Sequence, residues 1–498
     1  MLVIISDLHL TDGTTGDVLN SGAFEMFVER IHDLAIRASW RADDHYRPID
    51  RIDLVLLGDV LDLMRSQRWL ETDARPWSDP TSAPVVDTVA TIVDEILHRN
   101  RDGLAALRTI SESASIRLPP STQSGQPVYS AEDVPVPVRT YYMVGNHDWF
   151  LHLRGGRYDI IRQKVAHQLG LANAHTEPFP HDPYESDELL GVLRRHRVLA
   201  RHGDIFDPIN YGETRDTASL GDAIVIELVN RFVAESMQQY GEDLPKAVAL
   251  GLLELTHIRP LLLIPVWIEG LLDRSGAHPE LRRNMKRVWD RLTDEFLQLS
   301  IVRDYDTYSP FQIVDGLERS LKFSKRMSIG WTAKVVTWLH ELRGASSESY
   351  AQHALAEQDF RNRRARHIVY GHTHATECVP LDASHADGYV LNQTYFNTGT
   401  WRRVYRQTQW APGEKEFIPT EAMSYAAFYQ GDERSGRPFE TWSGTLAAVA
   451  GDTPVHRLDG NRPTHATEQS ISSPKIPVRA PHFGRSVSPS RAATSPRQ

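Results

Sequence analysis

The chain has 498 residues, enough for two or three ordinary domains or for one large domain with insertions. A formal net charge of −10 shows no basic body built to neutralise many phosphates, which weighs against non-specific nucleic-acid binding. The single cysteine, Cys378, rules out an internal disulfide.

Residues 2–6 form a short apolar run that passes directly into Asp7-Leu8-His9, the pattern of a buried strand ending in polar loop chemistry. The run is too short, and lacks the charged leader, for a signal peptide, so a cytoplasmic protein is expected. The same grammar recurs downstream. Residues 52–57 lead into Gly58-Asp59, 140–144 into Gly145-Asn146-His147-Asp148, 197–201 into His202-Gly203-Asp204, and 367–370 into Gly371-His372-Thr373-His374. Between these runs, apolar residues fall at helical spacing over 85–107 and 158–169. Alternating strands and helices predict an α/β fold, and in such sheets ligands gather beyond the carboxyl ends of the strands. The polar clusters are therefore expected to converge on one cleft.

Residues 111–137, rich in Ser, Pro, Gln and Gly, read as a loop or a partly disordered excursion. Residues 212–366 break the alternation and read as a helical insertion, a possible lid, with one apolar stripe at Ile224, Leu228, Val229, Phe232 and Val233 and another at Val335, Val336, Leu339 and Leu342. The longest apolar stretch, 260–268, is far short of the roughly 20 residues a membrane span needs, so no transmembrane segment is expected. It reads first as core and second as an exposed strip for an acyl chain or a peripheral membrane contact. After Arg462 the composition shifts to Ser, Pro and Arg, which predicts a disordered tail. The expected organisation is a catalytic body in two parts, 1–211 and 367–461, the insertion 212–366, and the tail 462–498.

A divalent ion that activates water favours carboxylate, imidazole and amide-oxygen ligands, and two ions sharing a carboxylate can clamp both attacking and leaving oxygens. Asp7 and His9 stand two apart at a strand end, and Asp59 follows a glycine that lets the backbone turn sharply. Asn146 offers an amide oxygen, and His202, His372 and His374 supply imidazoles. Singly each piece is ordinary, since Gly-Asp is a common turn and a lone histidine is more often surface than ligand. Their order, each at the end of a predicted strand, carries the argument.

Taken together, Asp7-x-His9, Gly58-Asp59-x-x-Asp62, Gly145-Asn146-His147-Asp148, His202 and Gly371-His372-x-His374 resemble the signature of the calcineurin-like metallophosphoesterases, over roughly residues 1–410. The resemblance implies a four-layer αββα sandwich that hydrolyses a phosphoester or pyrophosphate with a metal-bridging hydroxide. It also implies two divalent ions, Mn, Fe or Zn, one on Asp7, His9, Asp59 and His374 and the other on Asp59, Asn146, His202 and His372, with His147 facing the substrate and Asp62 orienting it. Leu63 and Asp148 depart from the protein Ser/Thr phosphatases of that family. The 202–207 segment is similar to that of UDP-diacylglucosamine pyrophosphohydrolases, although His147 stands where those enzymes carry Arg. A phosphorylated small molecule, such as a sugar nucleotide or a lipid-linked compound, is the expected substrate. Residues 397–401 are similar to the small-residue turn this family places behind its last metal loop. Two rival readings are a DNA-processing nuclease approached past Arg361, Arg363, Arg364 and Arg366, and a metal-free scaffold that binds partners.

Overall fold

A strand that is apolar on both faces needs cover on both sides, and Leu2–Ile5 and Ile52–Leu57 are buried at every position in the computed structural model. The structure describes residues 1–112, 115–212, 214–241, 244–259, 261–308, 349–386, 389–407 and 417–444. Within them lies a five-stranded sheet in the order Phe439–Gly444, Met423–Phe428, Leu2–Ile5, Ile52–Leu57, Val138–Met143. The last three strands run parallel, so their carboxyl ends share one edge. A four-stranded sheet has the order Val198–Ala200, His367–Tyr370, Tyr389–Thr398, Thr376–Ala386, with its first two strands also parallel.

The period-two alternation of strands sorts side chains onto opposite faces, and the apolar clusters follow it. Leu2, Ile4, Val55, Leu57 and Met143 of the larger sheet share a cluster with Val198, Ala200, Val369 and Phe396 of the smaller one. Their neighbours Val3, Ile5, Leu54, Leu56 and Tyr142 point the other way, into a cluster with helices Gly22–Ala38, Ala83–Arg99, Arg101–Glu112 and Gly156–Leu169. On the smaller sheet's other face, Leu199, Ile368, Tyr370 and Tyr395 meet Ala354 and Phe360 of helices Ser349–Ala356 and Gln358–Arg361. Each large apolar side chain so buried stabilises the fold by about 1.5–3 kcal/mol. The fold class is mixed α/β.

The helical run expected over 85–107 is two helices. The break falls at Asn100, whose side-chain amide donates to Thr11 O at 2.9 Å and so ties the junction to the loop beyond His9. The 111–137 segment differs from a plain loop, because Arg117–Leu118 pairs with Val134–Pro135. Between 212 and 308 the described chain is mainly helical with its own apolar cluster, which includes Leu228, Phe232, Ile264, Trp267 and Trp289. Leu263, Ile264, Val266, Trp267 and Ile268 are all buried, so 263–268 is mostly core, while Leu261 is half-buried. One short strand interrupts the helices, Ile258–Arg259, which pairs with Val404–Gln407. The second predicted stripe, Val335 to Leu342, and the 462–498 tail lie outside the described residues. Among the described residues no helix is long and apolar enough to cross a membrane.

Candidate metal centre

The five strand-end loops are laced to one another by their backbones. Asp7 N donates to Gly58 O, His9 N to Asp59 O, Leu63 N to His147 O and Gly371 N to His202 O, at 2.9–3.1 Å. Five candidate residues hold left-handed backbone: Asp7, His9, Asp59, His372 and His374, with φ between 44° and 66°. Each such conformation costs about 1–2 kcal/mol for a residue with a Cβ, and strain of this kind gathers where geometry serves a site. Gly58 has φ +80°, and a Cβ there would stand 2.5 Å from His202 Nδ1, so the loop closes only around glycine. A Cβ at Gly371 would likewise lie 2.6 Å from Asp7 Oδ2.

All nine candidate residues come together. His202 Nδ1 donates to Leu57 O at 2.9 Å, which orients the ring with Nε2 toward Asp59. That buried nitrogen has no hydrogen-bond partner, although Asp59 Oδ2 stands 3.2 Å away. His9 Nδ1 donates to Asp62 Oδ2 at 3.2 Å, so His9 Nε2 faces His374 Nε2 at 2.9 Å, Asp59 Oδ2 at 3.7 Å and Asp7 Oδ1 at 3.8 Å. His374 Nε2 is also 3.3 Å from Asp7 Oδ1. His372 Nε2 donates to Asp207 Oδ2 at 3.1 Å, which turns its Nδ1 lone pair onto the Asn146 amide oxygen at 3.0 Å. Imidazole nitrogens and carboxylate and amide oxygens thus crowd together at several points, an arrangement that cations between them would satisfy. Among the candidate residues three groupings emerge, Asp7 with His9 and His374, Asp59 with His202 and His372, and His9 with Asp62 and His147. The Asp59 Oδ2 atom faces the first two, while its Oδ1 accepts from His147 N at 2.8 Å.

Asp62 organises the substrate side. Its Oδ1 accepts from His147 Nδ1 at 2.7 Å, so His147 Nε2 is left for the cleft that both residues line. Burial disfavours the His147 cation, but Asp62 and then Asp59 outweigh it and push the imidazole up to about 9. Burial likewise opposes the charged form of Asp7, yet His202, His374 and His9 hold its carboxyl well below the usual range.

Several residues within or beside these motifs support the site without offering a ligand atom. Asp148 is fully buried and accepts from Val60 N, Gly145 N and Tyr142 Oη, at 2.9, 2.6 and 2.5 Å. Asp204 pairs with Arg215 at 2.6 Å, and Arg215 in turn donates to Gly145 O at 3.0 Å. In the turn at 397–401, Asn397 Nδ2 donates to Gly371 O at 2.7 Å and Thr400 Oγ1 to Asp7 O at 2.6 Å. The turn therefore backs both the first and the last loop.

The inserted segment reaches the same cleft. Asn230 Nδ2 donates to Met64 O at 2.7 Å, and Arg65 is bonded to Thr256 Oγ1, which docks the segment on the Asp62 loop. Thr256, His257, Arg259 and Leu261 then line the cleft opposite His9, Asp62, His147 and His374. Arg259 Nη2 lies 2.8 Å from His374 Nδ1, a contact that sequence reasoning missed because it depends on the strand pairing of Ile258–Arg259. Burial lowers Arg259 to about 10, which leaves it cationic at neutral pH. Arg361, Arg363 and Arg364 are exposed, and none of them lines the cleft. No protein-family model matches the chain, and no curated protein matches its sequence.

Proposed function

We propose that the chain is a dinuclear metal-dependent phosphoesterase of the calcineurin-like kind, hydrolysing a phosphoester or pyrophosphate. The observation that carries this reading is the place of Asp59 Oδ2, 3.2 Å from the unpartnered His202 Nε2 and 3.7 Å from His9 Nε2. One carboxylate oxygen serving two sets of nitrogen and oxygen donors is what a shared ligand of two ions requires. Asp7, His9, Asp59 and His374 would hold one ion, and Asp59, Asn146, His202 and His372 the other. The donor set suits Mn, Fe or Zn. The apolar clusters on both faces of both sheets support the four-layer αββα arrangement.

Two divalent ions held there would supply charge neutralisation on the phosphoryl oxygens and an acidified water. The protein's own groups do the rest. His147, charged and held by Asp62, presents Nε2 to the cleft, where it donates a proton or hydrogen bond to the leaving oxygen. Asp62 holds the His9 and His147 rings in fixed orientations through its two separate oxygens. Most of the lining residues carry polar side chains, with Val225 and Leu261 the only large aliphatic ones among the described residues, which favours a compact phosphorylated small molecule over a lipid-linked one. The test is manganese reconstitution of the full chain, followed by elemental analysis and hydrolysis of a panel of monoesters, diesters, pyrophosphates and single-stranded DNA. Two bound ions with turnover of a small phosphoester are expected. Absence of bound transition metal would overturn the assignment and leave the scaffold reading.

A further inference from the structure

Arg259 stands out among the groups at the cleft because, among the described residues, it forms no ion pair although Asp7 and Asp59 are near enough to favour its charge. It carries the only guanidinium or ammonium group among the described residues that line the cleft. Nη1 is bonded to the backbone oxygens of Thr256 and Ile258, and the strand register Ile258 to Tyr405 and Arg259 to Arg406 fixes the main chain beneath it. Among the described residues no carboxylate lies within ion-pairing distance of it, and its outer nitrogen, Nη2, instead meets the His374 ring, 2.8 Å from Nδ1 and 3.1 Å from Nε2.

That contact is incompatible with a metal-ligating His374. The nitrogen that faces Asp7 and His9 is Nε2, so a cation held there leaves the ring proton on Nδ1. Nδ1–H would then oppose the guanidinium donor to donor, and two positive charges would share one ring. Nη1 stays tethered to the backbone, so Nη2 needs an acceptor within the cleft itself. An anion lying between the guanidinium and the ion site meets both requirements.

We propose that Arg259, delivered by the inserted segment, binds the phosphoryl group of the substrate at the metal cleft. The inference rests on the dinuclear reading and assigns to the insertion a direct contact with the anion. It is tested by titrating inorganic phosphate into manganese-loaded full-length protein, wild type, Arg259→Lys and Arg259→Gln, with manganese content and melting temperature measured on each. Arg259→Gln should bind phosphate at least about tenfold more weakly with unchanged manganese content, the usual size for a lost charge-assisted hydrogen bond. Arg259→Lys should fall between, because it keeps the charge without the planar fork, and it decides the matter if Arg259→Gln does not fold. Phosphate affinity equal to wild type in the folded variants overturns the inference alone. Weakened binding that merely tracks lost manganese also overturns it, since Arg259 would then be a support for His374. A wild-type protein that takes up no metal and binds no phosphate overturns the dinuclear reading and the inference with it.

Discussion

Asp59 divides its two oxygens between a backbone N–H and the space shared by His9 and His202. Asp59→Asn preserves the shape but removes the charge that two cations would share, so manganese content should fall by at least one equivalent, with activity lost. Full retention of both ions would show that another group bridges. The His147 ring packs edge-on against His9 and is held by Asp62, and its Nε2 is left for the cleft, so His147→Ala should leave metal content intact while turnover falls by about two to three orders of magnitude. Metal loss in that variant would mean that His147 is itself a ligand. Asp207 acts one bond further out, holding the tautomer of His372 through Nε2. Asp207→Ala should weaken metal binding by about 10–100-fold, measured by competition with a chelator, and unchanged affinity would show that His372 needs no orienting partner.

At the scale of elements, loops rather than strands carry the site, and Asp148 joins two of them by accepting from Val60 N, Gly145 N and Tyr142 Oη. Its removal strands three buried donors. Asp148→Ala should destabilise the protein by about 3 kcal/mol, read as a lowered melting temperature even with manganese in excess. A melting temperature unchanged from wild type would show that the loops hold without it. The strand ends bearing Asp7, Asp59, Asn146, His202 and His372 were legible in the sequence, because an apolar run followed by Gly and polar residues is a local signal. Arg259 was not legible as a site residue, since the pairing of Ile258–Arg259 with Val404–Gln407 joins segments some 145 positions apart, and local periodicity cannot report it. The left-handed backbone at Asp7, His9, His372 and His374 was equally hidden, as tertiary contacts impose it against the preference of those residue types. Asn100 shows the same limit, for nothing in the 85–107 spacing marks a helix break that a contact with Thr11 creates.

At the scale of the whole molecule, the two sheets meet over an apolar layer that contains one histidine with no use in the site. His367 is buried against the rings of Phe396, Phe428 and Phe439, with centroids 5.2–5.6 Å away, and its Nδ1 has no hydrogen-bond partner. Burial, reinforced by Arg366 and Arg197, lowers it to about 3, and burial with the nearby N-terminal ammonium lowers His196 to about 3 as well. Both rings are therefore neutral in the folded chain, whereas an unfolded histidine titrates near 6.5. Between those values the unfolded state binds more protons, so stability is fully present above pH ~6.5 and is lost as the pH falls toward ~3. For one such histidine, the loss between pH 7 and pH 5 is on the order of 2 kcal/mol. His367→Phe replaces the titrating ring with one that suits its three aromatic neighbours and removes the orphan nitrogen. Urea unfolding of both proteins with chelator present, at pH 7 and pH 5, isolates this effect from metal release. The variant should lose less stability than wild type over that interval, by roughly 2 kcal/mol, with little difference between the two at pH 7. Equal losses would show that His367 is protonated in the fold or reached by water, and that the layer between the sheets is looser than its burial indicates.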